Sequence, residues 1–154
     1  MIRKFRLSDL ERLKEITVLG FEGVSIDYGM EKRFGLIAGK DWKWRKARTI
    51  QWDADAHPDG IFVYEAGGAA VGYITTRLDP ESKIGWIPNL AIHPDFQGRE
   101  IGKALMHAAL DYLRASGMLY AKIETLEQNA KGRRFYPSVG FEEVARQIHF
   151  LMKL

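Results

Sequence analysis

Residues 86–115 constrain this chain more than any other stretch of its 154 residues. Residues 87–92 are apolar enough for a buried strand, and Ile101, Leu105, Ala108 and Tyr112 recur at the spacing that makes one packed helical face. The turn between them carries Gly98 and Gly102, so the backbone can come close to whatever lies at the helix start. Amide hydrogens of a first helical turn have no partner inside the helix, and the dipole there favours negative charge. The segment therefore predicts an anion site, and phosphate is the commonest occupant of such a corner. A glycine-punctuated connection with no ligand is the alternative reading of the same residues.

The spacing excludes two familiar phosphate grips. A P-loop needs four residues between its glycines and a hydroxyl after the lysine, whereas Gly98 and Gly102 are separated by three and Lys103 is followed by Ala104. The GxGxxG fingerprint of dinucleotide-binding folds is absent as well. Gln97 and Gly102, placed after Leu90-Ala91-Ile92-His93-Pro94, resemble the first and last positions of the [QR]xxGx[GA] signature of the GNAT superfamily of N-acetyltransferases. Glu100 departs from that pattern, standing where the family usually has glycine, and its carboxylate is expected to point to solvent. A second signature of the family, NxxAxxFYxxxGF, is matched by Asn129, Phe135, Tyr136, Gly140 and Phe141, with Gly132 in place of the usual alanine.

Length fits a single domain over residues 1–154. With 46% hydrophobic and 28% charged residues the composition is that of a soluble globular chain, expected in the cytoplasm, with no apolar run of signal-peptide or membrane-span length. No cysteine is present, which excludes disulfides, thiolate nucleophiles and zinc-thiolate sites. His57, His93, His107 and His149 lack metal-ligand spacing, so no metal is expected. A net charge of +3, dispersed apart from residues 40–48 and 131–134, suits a small polyphosphate ligand better than nucleic acid.

In chain order, residues 2–7 read as a strand and Ser8 with Glu11 as a capping box opening a helix to about residue 19. Residues 24–58, with Trp42, Trp44 and Trp52 among basic residues, read as a broken or amphipathic second helix. From residue 60 the period changes to two, giving a hairpin turned at Gly67-Gly68 and a further antiparallel strand over residues 83–92. Pro88 inside that strand predicts a bulge, which would free backbone groups for an extended ligand arm. After the central helix come a strand over residues 119–126, a helix over 129–139 and two strands over 141–146 and 148–154.

That element order also resembles the GNAT enzymes, which implies an α/β (α+β) fold: a mixed, mostly antiparallel sheet of about seven strands with a central V-shaped splay, flanked by about four helices. The resemblance implies acetyl-CoA as co-substrate in the V and a primary amine, on a small molecule or a protein N-terminus, as acceptor. The strand end, Leu90, Ala91 and Ile92, would meet the pantetheine arm. Gln97, Gly98, Arg99, Glu100, Ile101, Gly102 and Lys103 would surround the pyrophosphate, while Asn129 would bond the arm from the other wall. Tyr136 matches the tyrosine that protonates the departing thiolate, and it also borders the cofactor. Glu124 is the implied general base, because Ile123-Glu124-Thr125 resembles the LEV phrase of the branch that acetylates a ribosomal protein's N-terminal alanine; the twelve-residue offset to Tyr136 agrees. Asp27, Asp53 and Asp55 are candidates for attracting a cationic acceptor. The alternative function is a non-catalytic acyl-CoA-binding module on the same fold. No nucleic acid or membrane partner is expected, and a homodimer is the default assembly.

Overall fold

A computed structural model describes residues 1–154. Strand β1 (Ile2–Lys4) leads into helix α1 (Leu10–Gly20), followed by α2 (Ile26–Phe34) and α3 (Trp42–Ala56). Strands β2 (Phe62–Ala66), β3 (Ala69–Ile74), β4 (Ile84–Trp86) and β5 (Leu90–Ile92) precede α4 (Ile101–Ala115), β6 (Tyr120–Lys122) and α5 (Ala130–Ser138). β1, β2, β3 and β5 form one antiparallel sheet in that order, and β4 pairs in parallel with β6.

Alternation along β2 and β3 splits the core. Val63, Ala70 and Tyr73 face α1 and α3 with Leu13, Ile16 and Ile50, while Phe62, Val71 and Ile74 face α4 with Leu105, Met106 and Leu113. Each such side chain taken from water contributes roughly 1.5–3 kcal/mol, so the two layers clamp the sheet between them. The face that α4 fully buries is Ile101, Leu105, Met106, Ala109 and Leu113; Ala108 and Tyr112, expected at its centre, lie half-buried at its margin.

Several local expectations are corrected. Ser8 does not cap α1: residues 7–9 form a short 3-10 turn ahead of it, in which Asp9 Oδ2 accepts from the Arg6 N–H at 2.8 Å, and the Arg3 guanidinium grips both Asp9 oxygens at 2.8 Å. Residues 24–58 hold two helices, each started by its own cap, with Ser25 Oγ accepting from Tyr28 N–H and Asp41 Oδ1 from Trp44 N–H. Gly35, at φ +73, closes the first of them. There are five α-helices against about four expected, and six strands against about seven. The shortfall lies in residues 141–154, which form no ladder.

Candidate functional site

The strand expected over residues 83–92 is broken by Pro88. Before the break, β4 runs parallel to β6, and the last bond between them is Ile87 N–H to Lys122 O at 3.0 Å. Beyond it, β5 pairs with β3 alone and no ladder bond joins it to residues 123–126, so two neighbouring strands part company at the proline. Thr75 N–H donates to Asn89 O and His93 N–H to Val71 O, which fixes the odd-numbered residues of this run as those turned toward β3. Leu90 and Ile92 therefore direct their N–H and C=O toward the opening. Ala91 does the opposite: its backbone faces β3, and its buried methyl is the neighbour that a Cβ on Gly20 of α1 would meet at 3.3 Å.

A short 3-10 turn (Pro94–Phe96) carries the chain from β5 toward α4. Gln97 N–H is spent on Pro94 O, and the next internal bond is Ala104 N–H to Glu100 O. Between them the N–H groups of Gly98, Arg99, Glu100, Ile101, Gly102 and Lys103 have no acceptor in the chain. Six consecutive donors at a helix start form a fixed positive corner, because unpaired amides and the dipole add. Gly98 (φ +75) and Glu100 (φ +59) both lie in the left-handed region, where glycine is unpenalised and glutamate is not. The Glu100 side chain points to solvent, 3.8 Å from Lys103. Arg99 stacks over Phe96, and Gly102 is small because Ile92 Cδ1 would stand 3.2 Å from an added Cβ. The Gln97 side chain donates to Ile92 O at 3.2 Å and accepts from Lys131 of α5 at 2.8 Å, so it links the two sides of the opening.

On the opposite side, Glu124 and Thr125 follow β6. Glu124 is 62% exposed, accepts from the Trp86 indole at 2.7 Å and lies 3.9 Å from Lys122; the burial expected of a general base is absent. Asn129 caps α5, its Oδ1 accepting from Gly132 N–H at 3.2 Å while its Nδ2 donates to Thr125 Oγ1 at 2.8 Å. Gly132 replaces alanine for a steric reason, since an added Cβ would meet Asn129 Nδ2 at 2.7 Å and Thr125 Oγ1 at 2.9 Å. Tyr136 packs edge-on to Phe135 and Phe141, and burial pushes its phenol up to about 12. Pro137 sits in the last turn of α5, leaving Tyr136 on the helix.

Sequence reasoning missed a polar cluster beneath the break. Asp53 is not free to attract an amine: its carboxylate accepts from Thr75 Oγ1 (2.8 Å), Asn89 Nδ2 (2.7 Å) and the Arg77 guanidinium (2.8 Å). Lys46 Nζ donates to Asn89 Oδ1 at 2.9 Å, and burial pushes this lysine down to about 8 against the pull of Asp27 and Asp53. Asp27 pairs with Arg45 at 3.4 Å, and Asp55 accepts from Gln51. The seven-residue interval from Lys46 to Asp53, one face of a helix, was the available signal.

A family model described as Acetyltransferase (GNAT) family matches residues 26–141. An uncharacterized N-acetyltransferase of Methanocaldococcus jannaschii is 26% identical over 147 residues, covering 92% of this chain. The chain spans only 60% of that relative's length. Among solved structures, PH1933 from Pyrococcus horikoshii superposes with a TM-score of 0.76 at 26% identity, over 96% of this chain and 91% of the other. The PaiA N-acetyltransferase from Thermoplasma acidophilum, solved in complex with coenzyme A, gives a TM-score of 0.72 at 21% identity, covering 92% and 89%.

Proposed function

The chain belongs to the acetyltransferase (GNAT) family, and we propose that it is an acetyl-CoA-dependent N-acetyltransferase passing the acetyl group directly to a primary amine in a ternary complex. The carrying observation is the run of unpaired N–H groups from Gly98 to Lys103. They suit a pyrophosphate, while the open edge at Leu90 and the Ile92 N–H suits an amide-bearing arm that adds beside β5 as an extra strand. A neighbour of the same fold solved with coenzyme A supports this reading.

In the proposed reaction the acceptor ammonium, with a pKa near ~10.4, first loses a proton. Its lone pair attacks the thioester carbonyl carbon and a carbon–nitrogen bond forms; the tetrahedral intermediate collapses by breaking the carbon–sulfur bond, and the nitrogen releases its second proton, which replaces through water the one that the phenol gives to sulfur. Tyr136 is assigned as the donor that protonates the departing thiolate; its high pKa keeps the phenol protonated at neutral pH. Glu124, exposed and tied to Trp86, is assigned the first proton through water. The acceptor is a primary amine on a small molecule or a protein N-terminus.

Thermal unfolding with acetyl-CoA tests the cofactor half of this reading. At a hundredfold excess over Kd the expected gain is about 2.7 kcal/mol, and no shift at concentrations on the order of 1 mM overturns it. Thiol release with an amine panel tests the catalytic half; binding without release would make the chain a non-catalytic acyl-CoA module.

A further inference from the structure

The anion corner belongs to α4, which packs on the side of the sheet that holds Phe62, Val71 and Ile74. Asn89 and Ala91 present their side chains to the other side, where Asn89 meets Asp53 and Lys46 of α3 and Ala91 joins the cluster of α1 and α3. A cofactor held by its pyrophosphate at α4 and by its arm along β5 therefore leaves the α3 side for the acceptor. Asn89 stands between the break at Pro88 and the free edge at Leu90, so the group its side chain holds borders the opening.

That group is the Lys46 ammonium. Its one hydrogen bond within the chain goes to a neutral atom, Asn89 Oδ1 at 2.9 Å, and its Nζ lies 3.9 Å from the centre of the Phe21 ring. No carboxylate oxygen comes within ion-pair distance of it, because the two acidic groups that act on it are already engaged, Asp27 with Arg45 at 3.4 Å and Asp53 with Arg77 at 2.8 Å. Three cations share two carboxylates, and the charge left over is that of Lys46.

An ammonium can donate three hydrogen bonds, and taking one out of water is unfavourable unless an anion faces it. Burial pulls the Lys46 pKa down to about 8, which still leaves the group mostly charged at neutral pH. Bracing Asn89 does not need that charge: its Nδ2 already donates to Asp53 Oδ2 at 2.7 Å and its N–H to Thr75 Oγ1 at 3.0 Å. Lys46 is half-buried rather than sealed, which leaves it open to a ligand.

On the transferase reading, which employs Glu124 and Tyr136 and gives Lys46 no part, we propose that Lys46 is a specificity-determining residue whose ammonium binds a carboxylate of the acceptor. The substrate is then a primary amine that also carries an acidic group. Its carboxylate takes up free donors of Nζ and brings the cluster to three cations and three anions. A polycation brings a further ammonium to a positive charge that has no counter-ion, where the partly buried setting strengthens the repulsion.

The probes are α-amino acids and ω-amino acids of rising chain length, each paired with its primary amide, peptides whose second residue is glutamate or glutamine, and spermidine. Thiol release from acetyl-CoA gives kcat and KM for each, and calorimetry on the protein saturated with CoA gives acceptor binding without turnover. For the natural chain, at least one carboxylate is expected to exceed its amide by about tenfold or more, mainly in KM, with spermidine the poorest acceptor. Lys46→Met is expected to abolish that ratio, whereas Lys46→Arg, which keeps a cation there, is expected to retain it. Taking the ratio within each pair cancels differences in amine basicity between variants, and urea unfolding with acetyl-CoA titration shows that each variant is folded. The proposal is overturned if amides or spermidine are the better acceptors of the natural chain, or if Lys46→Met weakens both members of every pair alike. Acetyl-CoA binding with no thiol release from any probe overturns the transferase reading instead; the calorimetric ratio then decides on Lys46 by itself, and its absence overturns the carboxylate site.

Discussion

The two sides of the opening are built from different materials. The side that starts α4 is backbone: six N–H groups with no partner in the chain, with side chains contributing little beyond Gly98 taking a positive φ and Gly102 staying small against Ile92. The side formed by β6 and α5 is side chain: Asn129 bonded to Thr125 and Gly132, Glu124 to Trp86, and Tyr136 wedged between Phe135 and Phe141. A backbone site survives most substitutions and fails when the chain is bent. A side-chain site can be dismantled one atom at a time. The polar cluster at Asp53, which holds the strand break from below, is the extreme of the second kind.

The largest expected effect is therefore at Asp53. Asp53→Ala removes the acceptor of Thr75, Asn89 and Arg77 together and leaves the cations of Arg77 and Lys46 without their shared counter-charge. Breaking a buried pair from one side costs about 3–5 kcal/mol, discounted here because Arg77 is part-exposed, so a loss near ~3 kcal/mol is expected in urea unfolding. A loss below ~1 kcal/mol would show that the break stands without its polar support.

Next is Tyr136→Phe, which takes one oxygen from the side-chain wall and nothing from the turn. If the phenol is the acid, kcat falls about 10²-fold while acetyl-CoA affinity, read by calorimetry, is unchanged. An unchanged kcat removes Tyr136 from the chemistry; a loss of affinity instead would assign it to cofactor packing.

What was legible in the sequence follows the same division. The turn was readable because its features are local: a strand-length apolar run, two glycines and a 3.6-residue period specify where the N–H groups go whatever packs nearby. Pro88 likewise announced the break, since a residue without an N–H cannot continue a ladder. Residues 24–58 hid two helices because their starts are written in caps, Ser25 and Asp41, rather than in a clean apolar face. The partners of Asp53 stand 22, 24 and 36 residues away, and only the folded sheet brings them together. The expected strands over residues 141–146 and 148–154 had the period but not the pairing, because alternation reports a strand's faces and not its neighbour.

A third measurement separates the cluster from the turn by pH. Lys46 has its folded pKa pushed down to about 8 from 10.5, so the unfolded chain holds the proton more tightly. Below about 8 the lysine is charged in both states and the cost of burying that charge is fully present. As pH climbs from 8 to 10.5 the folded protein releases the proton first, the unfolded state binds more protons, and stability rises. Relative to Lys46→Met, the natural chain is expected to gain on the order of 2–3 kcal/mol across that window in urea unfolding. Parallel profiles would mean that Lys46 reaches water through the opening it borders.

The smallest effect tests the backbone side directly. Glu100 holds φ +59, a conformation that costs a side-chain-bearing residue about 1 kcal/mol relative to glycine, and it brings a negative charge to a turn whose N–H groups suit an anion. Glu100→Gly relieves the first cost but gives the unfolded chain about 0.4–1 kcal/mol more freedom, so stability is expected to rise by no more than about 0.5 kcal/mol. Cofactor affinity is expected to improve two- to fivefold at low salt. The carboxylate is solvent-exposed and already beside Lys103, so its repulsion of a pyrophosphate is screened and the gain fades as ionic strength rises. The opposite result would be more telling: if affinity falls, then Glu100 fixes the turn in the shape that aims the six donors, and the backbone wall depends on a side chain after all.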